Sequence, residues 1–280
     1  MPIEVNSPIR VFLHDEFHAL AHRILGIVFG VHNEFGRLLD EEIYKQAIRR
    51  RCETAGIAPA LREVEIRVHH GSFLRSYFMD LLFASGVILE TKAVDVLTDA
   101  HQSQTLNYLL LAGMRHGLLL NLRSAQVTWR YVSTTLDAAE RRRFTVQDSQ
   151  WIAINEASRD LRAIFIELLD DWGAFLETPL YRAAVMHFFG GPAVTLRRIG
   201  IYDDDTLLGT HEVCLIGDDT AFALSALKSG KKEMQDHLQR FLTHTQLNAV
   251  QWINMDNHDI EFQTLVRRGS KRTGRMMGAE

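Results

Sequence analysis

The alternation of apolar and polar residues predicts a regular order of helices and strands in the first half of the chain. Apolar residues recur at helical spacing over residues 8–55, and Gly36 is expected to divide this segment into two helices. Alternating or continuous apolar stretches then predict three strands, at residues 62–70, 76–84 and 86–94. A helix after Thr98 and the strands HGLLLNL and VTWRYV complete a mixed α/β pattern.

The second half repeats this order after a polar stretch at residues 137–150. Helical segments are again followed by three strands, a helix and two strands. The window FGRLLDEEIYKQA, which starts at Phe35, also matches WGAFLETPLYRAA, which starts at Trp172. A glycine, an acidic residue, a tyrosine and an alanine fall in register between the two windows. These matches predict an internal duplication.

The polar stretch indicates a boundary between two domains. We expect a first domain at residues 1–140, a related domain at 141–266, and a basic, flexible tail at 267–280. Each domain is expected to be a mixed sheet flanked by helices, which places the chain in the α/β (α+β) class.

Composition narrows the class of protein. The 280 residues are 46% hydrophobic and 24% charged, as in a soluble globular protein, and no apolar run is long enough for a membrane span. Two distant cysteines and an N-terminus without a secretion signal favour a cytoplasmic location, with no disulfide framework or zinc site. The net charge of −4 does not indicate a strongly basic nucleic-acid binder, so phosphate contacts would depend on local patches such as Arg49-Arg50-Arg51, which can instead be a solvated helix face.

Three charged residues interrupt the apolar strands of the first half. Asp80 stands alone in one strand, and Glu90 and Lys92 flank Thr91 in the next. A buried charge is costly unless it is paired or binds a metal, and Glu90 and Lys92 share one strand face. If the two strands pair, two carboxylates and a lysine converge, which suits Mg²⁺ or Mn²⁺ and a substrate phosphate. The alternative is an exposed hairpin edge with a surface ion pair.

Two predicted helices carry polar pairs at spacings that place each pair on one helix face. Gln104 and Tyr108 stand four residues apart after the strands, and Glu41 and Tyr44 stand three apart before them. The acid can instead be solvated, and each tyrosine can instead pack in the core with its hydroxyl group satisfied.

The segment VHNEFGRLLDEEIYKQA, followed in order by MDLLF, LETKAV and QTLNYL, resembles the GxxExxY proteins of the PD-(D/E)XK nuclease superfamily. The spacing of Gln104 and Tyr108 is similar to the Q-x-x-x-Y feature of RecB-type nucleases. The resemblance covers about residues 20–135 and implies a mixed sheet flanked by helices with a Mg²⁺-dependent nuclease site. It departs from the family at Leu38, where the name-giving glycine is expected, although Gly36 stands nearby.

The resemblance assigns metal binding and catalysis to positions that match its motifs. The implied metal ligands are Asp80, Glu90 and Glu41, and the implied catalytic residues are Lys92, Glu41, Gln104 and Tyr108. The chain is therefore expected to be a metal-dependent nuclease that hydrolyses phosphodiester bonds. DNA is the expected nucleic acid, and Mg²⁺ or Mn²⁺ is the expected cofactor.

The duplication implies a second half without this chemistry. Ser225 and Leu227 would stand opposite Glu90 and Lys92, and Val213 would stand opposite Asp80. The second repeat would then be a degenerate copy that serves as a docking surface for a homodimer or a protein partner.

Two other functions stay open on the sequence alone. A catalytically idle adaptor that binds nucleic acid or protein would fit the neutral-to-acidic charge and the degenerate repeat. A metal-dependent phosphatase that acts on small substrates would use the same carboxylates. No contact with a membrane is expected.

Overall fold

The computed structural model describes residues 2–267, which form two compact units. The first contains the chain up to Arg143 together with Glu167–Leu180, and the second contains Phe144–Ile166 and the described residues from Tyr181 onward. The first unit thus extends past the expected boundary at residue 140 and takes in a segment of the expected second domain. Residues 268–280 of the predicted basic tail lie outside the described residues.

The segment Glu167–Leu180 groups with the first unit because its residues form hydrogen bonds there. The Trp172 indole N–H donates to the carbonyl of His69 at 3.1 Å. The backbone N–H of Glu177 donates to the side-chain oxygen of Asn107 at 3.2 Å. A linear division of the chain at one boundary misses these contacts.

Six strands of the first unit form one mixed sheet. They are β1 (Ile3–Val5), β2 (Ala60–His70), β3 (Phe73–Phe83), β4 (Val87–Lys92), β5 (His116–Asn121) and β6 (Thr128–Ser133). Their order in the sheet follows the chain, and each neighbouring pair is antiparallel except β4 and β5, which are parallel. The helices up to Arg143 are α1 (His14–Phe35), α2 (Glu41–Thr54), α3 (Asp99–Ala112) and α4 (Ala138–Arg141). The helix α3 lies in the crossover that a parallel pair requires.

The helices α1 and α2 share one hydrophobic core with the central strands. Phe17 and Ile24 of α1 and Ile48 of α2 are buried in the same cluster as Leu89 of β4 and Leu118 of β5. This packing holds the start of α2 close to the charged positions of β3 and β4.

Gly36 ends α1, as the sequence predicts. Its φ of 70° lies in the left-handed region that glycine tolerates, and its N–H donates to the carbonyl of His32. The buried Tyr44 donates its hydroxyl hydrogen to the Gly36 carbonyl at 2.6 Å and accepts from the Leu39 N–H at 3.3 Å. Tyr44 is therefore a core tyrosine with a satisfied hydroxyl group, and it fixes the loop that places Glu41 at the start of α2.

A tight turn joins β3 to β4. Its central residues are Ala84 and Ser85, with φ values of 47° and 58°, and the Gly86 N–H donates to the Phe83 carbonyl at 2.9 Å. Positive φ at both central residues matches the natural twist of a two-stranded hairpin. The turn sets β3 antiparallel to β4, as the pairing of the two charged strands requires.

The second unit has two sheets. Its strands are β7 (Thr145–Gln150), β8 (Leu196–Asp203), β9 (Thr206–Cys214), β10 (Thr220–Ser225), β11 (Ala249–Asp256) and β12 (Asp259–Val266). The larger sheet has the order β10-β11-β12-β7, and β8 and β9 form a separate antiparallel hairpin. β10 is parallel to β11, and β12 is antiparallel to β11 and parallel to β7. The helices after α4 are α5 (Glu156–Trp172), α6 (Thr178–Phe188), α7 (Pro192–Thr195) and α8 (Lys231–Thr243).

A mixed sheet flanked by helices and the predicted order of elements in each half are confirmed, but β8 and β9 do not join the mixed sheet of the second unit as β2 and β3 join that of the first. The structure adds four short elements that the hydrophobic pattern does not predict: β1, α4, α7 and β7. The polar residues 137–150, predicted as a boundary, contain α4 and β7, and β7 lies at a sheet edge with most of its side chains exposed. Within residues 2–267, no helix combines the length and apolar character needed to cross a membrane.

Candidate active site

The candidate site lies where β3 and β4 stop pairing. The last pair in their ladder is Leu81 with Leu89, and the next residues along the two strands are Asp80 and Glu90. The backbone N–H and the hydroxyl group of Thr91 donate to Asp80 Oδ2, at 2.8 and 3.0 Å. A carboxylate thus takes the place of a backbone acceptor, and this holds Asp80 against β4.

Glu90 and Lys92 interact on β4. The Lys92 ammonium donates to Glu90 Oε1 at 2.8 Å, and the Glu90 side chain is only 2% exposed. The other oxygen, Oε2, is buried and has no hydrogen-bond partner. Burial first, and the charge of Asp80 second, raise the pKa of Glu90 to about 7, although Lys92 opposes them.

The other oxygen of Asp80 contacts a lysine that the sequence motifs did not indicate. The Lys45 ammonium lies 3.2 Å from Asp80 Oδ1 and 2.9 Å from Glu63 Oε1, and its side chain is 10% exposed. Glu42 and Glu41 approach the same ammonium at 3.4 and 3.8 Å. Burial alone would lower the pKa of Lys45, but hydrogen bonds to Glu63 and Asp80 raise it above its usual value.

Glu41, the first residue of α2, lies at the edge of this charged cluster. Burial first, and then the charge of Asp80, raise the pKa of Glu41, while the charges of Lys92 and Lys45 lower it. These four groups are thus close enough to act on one another. The structure brings Glu41 to the site, and its role there stays a prediction.

Gln104 and Tyr108 share one face of α3, as predicted. The Gln104 side-chain N–H donates to the Tyr108 hydroxyl oxygen at 2.9 Å. The pKa of Tyr108 is raised to about 12, and burial is the largest cause. The hydrogen bond from Gln104 lowers this pKa, whereas the negative charges of Glu90 and Asp80 raise it further. Tyr108 is therefore protonated at neutral pH and can donate its hydroxyl hydrogen near Glu90.

The site contains carboxylates, which can bind a divalent ion, but they are not arranged to hold one as they stand. Among the described residues, no group of three or more His, Cys, Asp or Glu side chains is arranged to hold a metal ion as it stands. Both oxygens of Asp80 are engaged, by Lys45 and by Thr91. Carboxylates are nevertheless the ligands that Mg²⁺ prefers, and the unpartnered Oε2 of Glu90 can accept a cation directly. The residues fit a divalent ion if Lys45 gives up part of its contact with Asp80.

Asparagines at the end of a parallel strand pair give the two units a common reference point. Asn121 pairs with Lys92 across β4 and β5, and Asn254 pairs with Ser225 across β10 and β11. Each asparagine oxygen accepts a backbone N–H from the chain that follows the first strand, at 3.3 Å in the first unit and 2.8 Å in the second. The two asparagines therefore have the same structural role.

The second unit lacks the charged groups of the first when the two sheets are aligned on these asparagines. Ser225 then stands opposite Lys92, and Ala223 stands opposite Glu90. This alignment differs by two residues from the predicted pairing of Ser225 with Glu90 and of Leu227 with Lys92, because it follows strand register and not residue type. Alanine supplies no ligand in place of Glu90, and serine supplies no positive charge in place of Lys92.

The sequence motifs do not indicate three groups at the site: Lys45, Glu63 and the hydroxyl group of Thr91. Glu63 adopts a left-handed backbone conformation with a φ of 49°, between the pairs that join β2 to β3 on either side of it. A non-glycine residue with positive φ is uncommon. No pattern in the sequence marks this position, so only the structure shows that Glu63 faces Lys45.

Comparison with known families supports a nuclease-type fold for the first unit. Residues 18–132 match the family model of the PD-(D/E)XK nuclease superfamily, and this range contains α1 to β5 almost entirely, and most of β6. Comparisons with curated proteins and with solved structures gave no match. The narrower resemblance to GxxExxY proteins and to the Q-x-x-x-Y feature stays a prediction. This part of the chain is thus similar to a superfamily whose members are usually phosphodiester hydrolases that use divalent metals.

Proposed function

We propose that the protein is a metal-dependent nuclease that hydrolyses the phosphodiester bonds of DNA, with its site in the first unit. The Glu90–Lys92 pair on β4 beside Asp80, with one Glu90 oxygen buried and unpartnered, is the observation that carries this proposal. The match of residues 18–132 to a nuclease superfamily supports it. Mg²⁺ or Mn²⁺ is the proposed cofactor.

Asp80 and Glu90 are the proposed ligands of the ion, with Glu41 beside them. A divalent ion bound there would lower the pKa of a water molecule and stabilise negative charge on a phosphate. Lys92 holds a positive charge 2.8 Å from Glu90, where it can donate a hydrogen bond to the attacking water or to a phosphate oxygen. Its proposed role is to stabilise the charge that develops during cleavage.

Tyr108 and Gln104 are proposed to orient groups at the same site. Because Gln104 donates to the Tyr108 oxygen, the hydroxyl hydrogen of Tyr108 is directed elsewhere. The pKa of about 12 keeps this hydrogen in place at neutral pH. Tyr108 can therefore donate to Glu90 or to the substrate throughout the reaction.

We also propose that the second unit is a degenerate copy of the first. Gly36 and Gly173 both follow a long helix and have φ values of 70° and 79°. The parallel pair β10–β11 with antiparallel β12 has the same arrangement as β4–β5 with β6. The copy would bind a protein partner or a second chain. A cytoplasmic location without membrane contact completes the proposal.

A catalytically idle adaptor is the second candidate function, and Lys45 favours it. The ammonium group of Lys45 already neutralises part of Asp80, and no ready metal cluster is found among the described residues. Such a fold could bind nucleic acid or protein without cleaving it. A phosphatase for small substrates would differ from both by hydrolysing phosphomonoesters and leaving DNA intact.

Incubation with nucleic acids and ions separates these functions. Wild-type protein, Asp80→Asn and the control Asp99→Asn, whose carboxylate is fully exposed, are incubated with DNA, RNA and a phosphomonoester in Mg²⁺, Mn²⁺ or chelator. We expect metal-dependent cleavage of DNA by wild type and Asp99→Asn, and a loss of roughly 10²-fold or more in Asp80→Asn, together with weaker Mg²⁺ binding by calorimetry. Equal cleavage by Asp80→Asn and wild type, or no cleavage by wild type with either ion, would refute the nuclease proposal.

A further inference from the structure

A buried lysine is the centre of the acidic cluster beside the proposed metal ligands. The Lys45 side chain is 10% exposed, and its ammonium lies 2.9–3.8 Å from four carboxylates, those of Glu63, Asp80, Glu42 and Glu41. Burying an ammonium group is unfavourable unless anions neutralise it. These carboxylates therefore hold Lys45 inside, and Lys45 in turn holds them together.

The cluster nevertheless keeps an excess of negative charge. Its four carboxylates face two cations, Lys45 and Arg62, of which Arg62 pairs with Glu42. Two negative charges remain (4 − 2 = 2), and the adjacent pair of Glu90 and Lys92 adds none. This excess equals the charge that one divalent ion would neutralise.

Asp80 is the carboxylate at which the lysine and an ion would compete. Two hydrogen bonds from Thr91 fix Oδ2, so Oδ1 is the oxygen left for a cation. Lys45 already donates to Oδ1, at 3.2 Å. The stronger contact of Lys45 is with Glu63, at 2.9 Å, so its ammonium can leave Asp80 without leaving the cluster.

We propose that Lys45 is an internal counter-cation that occupies Asp80 in the metal-free protein and sets the affinity for the divalent ion by competing for Oδ1. The inference rests on the proposed function, because it takes Asp80 as a metal ligand. When the ion binds, the Lys45 ammonium moves towards Glu63 and Glu42. The protein would then act only where the divalent ion is abundant enough to displace the lysine.

Lys45→Met tests this role, because methionine keeps an unbranched side chain and removes the charge. Lys232→Met is the matched control: Lys232 lies on α8 and pairs with Asp236, outside the cluster. Isothermal titration measures the affinity of the full-length proteins for Mg²⁺ and for Mn²⁺. We expect Lys45→Met to bind at least tenfold more tightly than wild type, which is about 1.4 kcal/mol, and Lys232→Met to bind like wild type.

Thermal unfolding with and without chelator gives a second readout. Without metal, Lys45→Met should melt at a lower temperature than wild type, because Asp80 and Glu63 lose their counter-cation. Mg²⁺ should raise its melting temperature more than it raises that of wild type. If Lys45→Met does not fold without metal, Lys45→Gln takes its place in both measurements.

The outcomes separate this inference from the proposed function. Unchanged or weaker metal binding by Lys45→Met, in a protein that cleaves DNA through Asp80, overturns the counter-cation role and leaves the nuclease standing. Tighter binding by Lys45→Met without cleavage by any variant supports the counter-cation role and refutes the nuclease. Absence of metal binding in wild type and in both neutral variants overturns both.

Discussion

The burial of Glu90 leads to a pH dependence of stability that can be measured without any substrate. In the metal-free protein, burial and the charge of Asp80 raise the pKa of Glu90 from 4.5 to about 7. Between these values the folded protein keeps a proton that the unfolded chain has released, so its stability falls as the pH rises. At 1.36 kcal/mol for each pH unit, the full effect is about 3 kcal/mol and is reached by about pH 8.

Glu90→Gln removes the titrating group and almost no volume. We expect the free energy of unfolding of wild type in chelator to fall by about 3 kcal/mol relative to Glu90→Gln between pH 4.5 and pH 8. The variant also leaves Lys92 without its carboxylate, so the two profiles are compared by their slopes and not by their absolute values. Urea unfolding followed by tryptophan fluorescence gives both profiles.

The control for this experiment is Glu53→Gln, which removes an acid that is half exposed on α2. Its profile should run parallel to that of wild type. If the Glu90→Gln profile also runs parallel to wild type, Glu90 is solvated in solution, and the argument from its buried, unpartnered oxygen fails. Saturating Mg²⁺ should remove most of the difference, because an ion on Glu90 replaces the proton.

Two further substitutions separate catalysis from architecture. Lys92→Ala removes one positive charge and no proposed ligand. Mg²⁺ should therefore bind at least as tightly as to wild type, measured by calorimetry, while the rate of cleavage falls by roughly 10²–10³-fold. A wild-type rate of cleavage would rule out a catalytic role for Lys92. Tyr44→Phe leaves the carbonyl of Gly36 and the N–H of Leu39 without their shared partner, which should cost about 1–3 kcal/mol in urea unfolding; an unchanged stability would show that water replaces the hydroxyl group.

The residues of the site that stand out against an apolar background can be predicted from the sequence. Asp80, Glu90 and Lys92 interrupt strands whose other residues are mostly buried, and the periodicity of those strands places Glu90 and Lys92 on one face. The break at Gly36 follows equally from local chemistry, because its backbone conformation favours glycine. Such features depend on near neighbours in the chain and can be inferred from them.

Lys45 could not be inferred in this way. It stands in EEIYKQAIRRR, a polar helix in which a buried lysine cannot be told from a solvated one. Its burial depends on the packing of α2 against β2 and β3, which brings Glu63 and Asp80 to it from 18 and 35 residues away. The polar strand β7 cannot be predicted from the sequence for a related reason. It has no apolar alternation, and it is stabilised by pairing with β12, which lies more than 100 residues further along the chain.

The two proposed ligands therefore differ in what an incoming ion must displace. Lys92 holds one oxygen of Glu90 and leaves the other buried without a partner, so an ion gains a ligand there at no cost in hydrogen bonds. At Asp80 the ion meets Thr91 on one oxygen and Lys45 on the other. The first contact is accordingly expected at Glu90, and Asp80 becomes a full ligand only as the Lys45 ammonium moves away. Metal binding and the withdrawal of one lysine would then be a single event, which ties the activity of the site to the concentration of free divalent ion.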